Sequence, residues 1–439
     1  MEVSPSLDPM SLSRRACLAR AAALSAAPAT LSGCARARAD APLRFWAMGR
    51  EGEVVGELLA PFEREHAKIQ VRVEKLPWSA AHEKLLTAFA GDATPDIAQL
   101  GNTWIAELAA LGALEPLQPW ADAAGISAAD HFDGIWRTNQ VDGTLYGVPW
   151  YVDTRLLFYR HDLFARGGIT TMPEDWNGFV RALDALQRAG VPNPLLLPLT
   201  EFEPLLALAL QQDDPLLRDG GRYGNFRSPG FKRALSFYLE RFARGHAPFH
   251  TGNVIANLWQ EFGRGTFAAF ISGPWNIGEL DRRLPPALRA SWSTAPLPGP
   301  TGPGASTAGG SSLVIFRDSP RKADAMRLIE YLSRPAVQMQ FHAMTGNLPP
   351  RRSTWTMAPL ASDRRAAAFA RQLERAKASP AVPEWERIAQ EMQLHTARAH
   401  RYGTSIDEAS AALDARVDGF LEKRRWMLAR HAGSGEAPR

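Results

Sequence analysis

From Pro42 onward, apolar and polar residues fall into two kinds of block: short runs that read as strands, and longer stretches with a period near 3.6 that read as helices. Leu43 to Ala47 is a short apolar strand, and the turn residues Gly49, Arg50, Glu51, Gly52 and Glu53 open a helix running to about Glu65. Ile69 to Leu76 alternates strictly, which predicts a second strand, and Ala80 to Ala90 predicts a second helix. Asp96 to Leu100 is a third strand, followed by a short helix from Trp104 to Leu111 that Gly112 caps. Strand, helix, strand, helix, strand predicts a doubly wound α/β lobe.

The second half follows the same logic with more helix. Asp175 to Ala189 is amphipathic and stops at Gly190, Leu195 to Leu199 is an apolar strand, and Phe231 to Ala243 is a helix. Thr266 to Ser272 reads as a buried strand ending in Gly273-Pro274-Trp275, and Pro296 to Gly310 as a proline and glycine loop. A strand from Leu313 to Phe316 returns towards the first lobe, helices follow over Arg321 to Leu332 and Pro335 to Thr345, and the tail from Arg364 to Arg430 is mostly helical.

The stretch Tyr146 to Arg160, YGVPWYVDTRLLFYR, has two ends that suit different jobs. Leu156, Leu157, Phe158 and Tyr159 suit a strand buried on both faces. Asp153, beside Trp150 and Tyr151, must be hydrogen-bonded or face a cleft, because a bare buried carboxylate costs several kcal/mol on the order-of-magnitude scale of such burials. A satisfied acid at a strand end and a cleft-facing acid both remain open on the residues alone.

The first 33 residues depart from the periodic pattern. Arg14 and Arg15 precede an alanine-rich apolar run from Ala16 to Leu31, as in an export signal. Leu31-Ser32-Gly33-Cys34 matches a bacterial lipobox, which makes Cys34 the expected lipid attachment site, and residues 34–41 an anchored spacer. Ser13-Arg14-Arg15-Ala16-Cys17-Leu18 also resembles a twin-arginine signal, and Met10 is an alternative start. Removing 33 residues from 439 leaves 406, enough for two lobes. Beyond Cys34 there is no cysteine, so neither a disulfide framework nor a CxxC site can form. No later stretch reaches the roughly 18 apolar residues of a spanning helix. A formal charge of +4, with Lys and Arg scattered, argues against a nucleic-acid partner.

Enzyme motifs are absent: there is no GxxxxGK[ST] loop, HExxH helix or GxSxG elbow. His246 and His250 are separated by Pro248, which breaks the helix a shared metal would need, so no metal or cofactor is expected. Aromatic, acidic, amide and guanidinium groups gather instead where strands and helices end: Trp46 with Arg50 and Glu51, Asn102 with Trp104, Trp150 with Tyr151 and Asp153, Trp275, and Arg351. In open α/β sheets ligands bind at such ends, and this mixture suits a sugar, whose C–H faces meet rings and whose paired hydroxyls meet planar polar groups.

Six segments, FWAMGREGE, TPDIAQLGNTWIAELAALGALEPL, YGVPWYVDTRLLFYRHDLF, AAFISGPWNIGEL, GGSSLVIF and GNLPPRRS, occur in an order that resembles the solute-binding lipoproteins and periplasmic proteins of sugar ABC importers, nearest the maltose and trehalose binders. The resemblance covers about Leu43 to Leu421. It implies a periplasmic-binding-protein type II-like fold, two doubly wound α/β lobes joined by a hinge with the ligand between them, and crossings near Asp153, Gly310 and Arg364. On that analogy one lobe takes residues 42–152 plus 312–365 and the other 153–311 plus 366–439. Carried over by position, the ligand residues are Arg50, Glu51, Asn102, Tyr151, Asp153, Trp275, Gly310 and Arg351, with Glu201 a weaker candidate. Asp153 and Trp275 are expected on opposite sides of the cleft. Many relatives have tryptophan after the paired glycines, whereas Ser311 follows Gly310 here, which favours trehalose or maltose over a long maltodextrin. The implied protein is no enzyme. It is a monomer in the periplasm or at the cell surface, lipid-anchored to the membrane, serving ABC permease subunits. The rival is a secreted glycosidase-like enzyme using Glu201 or Glu203 with Asp153.

Overall fold

The computed structural model describes residues 41–248 and 256–434, with side chains as far as Arg430. The export segment, Cys34, nearly all of the spacer and His250 lie outside the described residues.

Two sheets carry the architecture. The first is ordered Val71–Leu76, Leu43–Met48, Ile97–Gly101, Gly309–Ile315, Val148–Asp153. Its first three strands are parallel, and Gly309–Ile315 runs antiparallel to both neighbours. The parallel strands arise as the sequence pattern requires, because helices Gly49–Glu65 and Trp78–Ala90 supply the crossovers between them. The second sheet is ordered Trp292–Ala295, Leu156–Arg160, Ala269–Ser272, Leu195–Leu196. Leu156, Leu157 and Phe158 are fully buried in it, as the uninterrupted apolar run predicts, and burial of the Phe158 ring alone contributes about 1.5–3 kcal/mol.

Helix Trp176–Arg188 shows why pattern becomes packing. Asp175 caps it by accepting the Gly178 N–H at 2.8 Å, and Trp176, Phe179, Ala182, Leu183 and Leu186 bury one stripe against the second sheet's core. The tail forms helices Arg364–Leu373, Trp385–Tyr402, Ile406–Phe420 and Glu422–Ser434, matching its helical reading.

Several boundaries differ from the sequence expectation. The strand expected over Leu195 to Leu199 stops at Leu196, and Pro198 two residues on has no N–H with which to extend a ladder. The returning strand begins at Gly309 rather than Leu313. Gly310 adopts φ +120°, and a side chain there would start 2.2 Å from the Tyr151 carbonyl oxygen, so only glycine lets the strands approach so closely. The proline and glycine loop also holds the short strand Ser306–Thr307, paired with Ala376–Lys377.

Three passes of the chain link the sheets. Thr154 and Arg155 alone separate Val148–Asp153 in the first from Leu156–Arg160 in the second. Ser306, fully buried, donates its hydroxyl to the Arg155 carbonyl at 2.6 Å, which fastens the second pass to the first. The third pass lies between helix Pro335–Thr345 and helix Arg364–Leu373, with Leu348 bridged to Val152.

Candidate functional site

The first pass places the chemistry. Asp153 ends its strand, and Arg155 turns back to it: Nη1 donates to both Asp153 carboxylate oxygens at 2.9 and 2.7 Å, while Nη2 donates to Glu203 Oε1 at 2.9 Å. Glu203 opens helix Glu203–Leu210, where the helix dipole favours a negative charge. The guanidinium lies 4.8 Å from the centre of the Trp275 ring, a cation–π contact. Trp275 opens helix Trp275–Arg283 just after the turn Gly273-Pro274. A side chain on Gly273 would start 2.0 Å from Trp275 Cζ3 and 2.7 Å from Asp153 Oδ1, so glycine is required for indole and carboxylate to sit together. Asp153 and Trp275 thus belong to one cluster, which corrects the expectation that they face each other across the cleft.

This cluster borders a cavity of about 310 Å³. Asn102, Asp153, Arg155, Glu203, Gly309 and Gly310 contribute polar lining or bare backbone, and Trp78, Trp104, Phe202 and Leu206 contribute apolar lining. Trp78 meets Trp104 edge-on with ring centres 5.6 Å apart. Asn102 is buried, and its Oδ1 accepts from the Ser312 hydroxyl at 3.1 Å. Its Nδ2 has no partner among the described residues, which leaves the two N–H donors of that amide unused.

Charge is unevenly matched here. Burial lifts the Asp153 carboxyl above its ordinary value, opposed by the Arg155 charge. Burial also works against the Arg155 guanidinium, but Asp153 and Glu203 outweigh it and hold that group charged. Glu201, exposed at the surface, is nevertheless crowded enough that desolvation first and the Glu203 charge second raise its carboxyl. Since Asp153 and Glu203 both serve Arg155, neither stands as a free acid or base, and the arrangement offers solute binding rather than glycoside hydrolysis.

The other residues expected at the site are distributed around it. Tyr151 is buried behind the cavity, its hydroxyl accepting from Gln99 at 3.4 Å, and burial raises its phenol well above the usual value, with the Glu51 charge adding to this. Glu51 is buried and takes the Asn347 side-chain N–H at 2.6 Å. It reaches the cavity only indirectly, since it and Trp78 both crowd Gly49. Arg50 is exposed and pairs with Glu53 at 3.4 Å. Arg351 donates to Asp130 at 2.5 Å and to the Ser333 carbonyl at 3.1 Å. Neither Arg50 nor Arg351 lines this cavity. Trp46 and Trp150 are core residues, Trp150 stacking on Phe341 at 4.5 Å. Sequence reasoning did not single out Arg155, Trp78, Phe202 or Glu386; for Arg155 the available signal was its place two residues after Asp153 in the same anomalous stretch.

Two mixed sheets joined by short crossings, with a polar and aromatic cavity beside the first crossing, define a two-lobed solute-binding protein. The chain belongs to the bacterial extracellular solute-binding protein family, whose model matches residues 49–339. It is similar to the sugar-binding protein MalE of the phytopathogen Xanthomonas citri, with 54% identity over 89% of this chain and 99% of that one, and a TM-score of 0.86. The maltose-bound MalE3 of T. maritima shares the fold at 22% identity, covering 86% of this chain and 99% of that one with a TM-score of 0.73. Among curated proteins, the diacetylchitobiose-binding protein DasA of Streptomyces coelicolor is 24% identical over 84% of this chain and 85% of its own length. The family consists of substrate-binding proteins rather than enzymes.

Proposed function

We propose that this protein is the sugar-capturing component of an ABC importer, taking a short α-glucoside, trehalose or maltose, between its lobes and handing it to membrane permease subunits. The observation that carries the reading is the joint placement of Asp153, Arg155 and Trp275 beside a cavity lined by Trp78 and Trp104. A ring face for C–H patches and fixed planar charges for hydroxyl pairs are what a small neutral sugar requires. The sugar-binding role of the Xanthomonas citri relative supports the substrate class. The lobes are drawn at 42–152 plus 312–365 and 153–311 plus 366–439, with closure about the passes at Asp153, Gly310 and Arg364. Cys34 carries the lipid, the protein works as a monomer outside the cytoplasmic membrane, and no cofactor takes part.

Calorimetric titration of the chain beginning after Cys34 with trehalose and with maltose tests the reading directly. Binding of either, with the sugar recovered intact, is expected. Absence of binding to both, or cleavage of either, overturns it. Small-angle scattering is expected to show compaction on saturation.

A further inference from the structure

Two side chains anchored in different cores meet at the edge of the cavity. Thr103 lies in the single turn Asn102–Trp104 that follows strand Ile97–Gly101 of the first sheet. Glu386 is the second residue of helix Trp385–Tyr402, whose Trp385, Ile388, Ala389 and Met392 are buried with Leu157 and Leu195 in the core behind the second sheet. The Thr103 hydroxyl donates to Glu386 Oε1, and both residues line the cavity. We infer that Glu386 is a positioning residue that draws the two walls of the cleft together by accepting this hydroxyl, and so slows release of a bound solute.

Three features fit that role. Glu386 stands in the first turn of its helix, and a hydroxyl-to-carboxylate bond is among the stronger hydrogen bonds. Thr103 is followed by Trp104, whose ring packs against those of Trp78 and His82 at centre distances of 5.6 and 5.0 Å. These two stand four residues apart on one face of helix Trp78–Ala90, so a pull on Thr103 moves a stiff wall. The two residues are 283 positions apart and belong to none of the three crossing passes, so the bond forms only when the walls approach. A contact made only in the closed arrangement acts on the dissociation rate rather than on encounter.

The inference rests on the sugar-binding reading, and the experiment separates the two. Stopped-flow binding of trehalose and maltose to Glu386→Ala, Thr103→Val and the double variant is expected to give dissociation about tenfold faster in each single variant, with association unchanged and no further loss in the double variant. Glu386→Gln keeps an acceptor and is expected to recover part of the effect. Additive losses, or losses confined to association, overturn the inference. A second measurement needs no sugar: Thr103→Cys with Glu386→Cys, in a chain that holds no other cysteine after Cys34, is treated with a short bifunctional thiol reagent. Internal cross-linking is expected to accumulate as the free chain visits the closed arrangement, and its absence after long exposure overturns the inference. If the wild-type chain binds neither sugar, the sugar reading falls and the cross-link alone decides whether the walls are drawn together.

Discussion

Arg155 and Arg351 each clasp an aspartate, and the pairs are similarly buried: the side chains are 10% and 21% exposed for Arg155 and Asp153, and 20% and 23% for Arg351 and Asp130. Their surroundings differ. Asp130 also accepts the Ser353 N–H at 2.9 Å and its hydroxyl at 2.8 Å, and Arg351 completes itself on a backbone carbonyl. Burial pushes the Asp130 carboxyl up, yet Arg351 and Ser353 prevail and hold it below its ordinary value. Around Arg155 two carboxylates share one guanidinium beside a cavity and an indole, and burial prevails at Asp153. The Arg351 pair completes its bonding with backbone and hydroxyls, whereas the Arg155 pair keeps two acids on one cation and a side open to the cavity.

The largest break in this comparison comes from Arg155→Ala. It leaves Asp153 and Glu203 partly buried without a counter-charge, so unfolding free energy is expected to fall by about 3–5 kcal/mol, and sugar affinity by more than about a hundredfold as Trp275 and Asp153 lose their support. Urea unfolding and calorimetry measure the two losses. Arg155→Lys is expected to recover little, because an ammonium cannot span both acids in the plane of a fork. A fully restored affinity in the lysine variant would show that charge alone suffices.

Trp275→Ala sharpens the same contrast against the core. Trp275 is 40% exposed whereas Trp150 is 2% exposed and stacked on Phe341. Trp150→Ala is expected to cost about 3–5 kcal/mol of stability. Trp275→Ala forfeits little more than the Arg155 cation–π contact, about 1 kcal/mol, while affinity drops about ten- to a hundredfold. Thermal melts of both variants beside titrations decide the matter, and a Trp275 variant that melts as low as the Trp150 variant would place that indole in the core.

Arg351→Ala is the converse test. The pair ties the third pass to Asp130, so stability is expected to fall by about 1 kcal/mol with affinity changed less than about threefold. An affinity loss beyond tenfold in the titration would return Arg351 to the site.

How far the sequence carried the reading follows from these residues. The parallel strands around Leu43–Met48 and the helix Trp176–Arg188 were legible because burial imposes a period on the chain itself. Strand Gly309–Ile315 began four residues before its expected start, since Gly309 and Gly310 look like loop until a neighbouring carbonyl requires a residue without a side chain. Asp153 and Trp275 could be flagged as out of place in apolar context. Their meeting on one wall through Arg155 and Gly273 depends on a crossing and a turn 120 residues apart, which periodicity does not encode. The sequence points to Arg351 and passes over Arg155, because what separates the two is the set of acceptors around each, a property of the fold.

The smallest effect concerns acid. Asp130 has a folded-state pKa below its ordinary value of about 3.9, so its pair with Arg351 and its bonds from Ser353 contribute fully above that value and are lost as pH falls through the lower, folded one. Asp130→Asn keeps the shape and removes the charge. The urea midpoint of the wild-type protein is therefore expected to exceed that of the variant by a constant margin between pH 5 and 7, worth about 1 kcal/mol or less for a pair this exposed. The margin should shrink as the pH drops below about 4. For Asp153, whose carboxyl is raised rather than lowered, Asp153→Asn is expected to behave oppositely: the ionised form is the costly one, so the wild-type protein gains on its variant as acid protonates that group. Parallel pH series for the two asparagine variants compare the pairs on one axis, and curves of the same sign would mean that the two aspartates occupy equivalent environments after all.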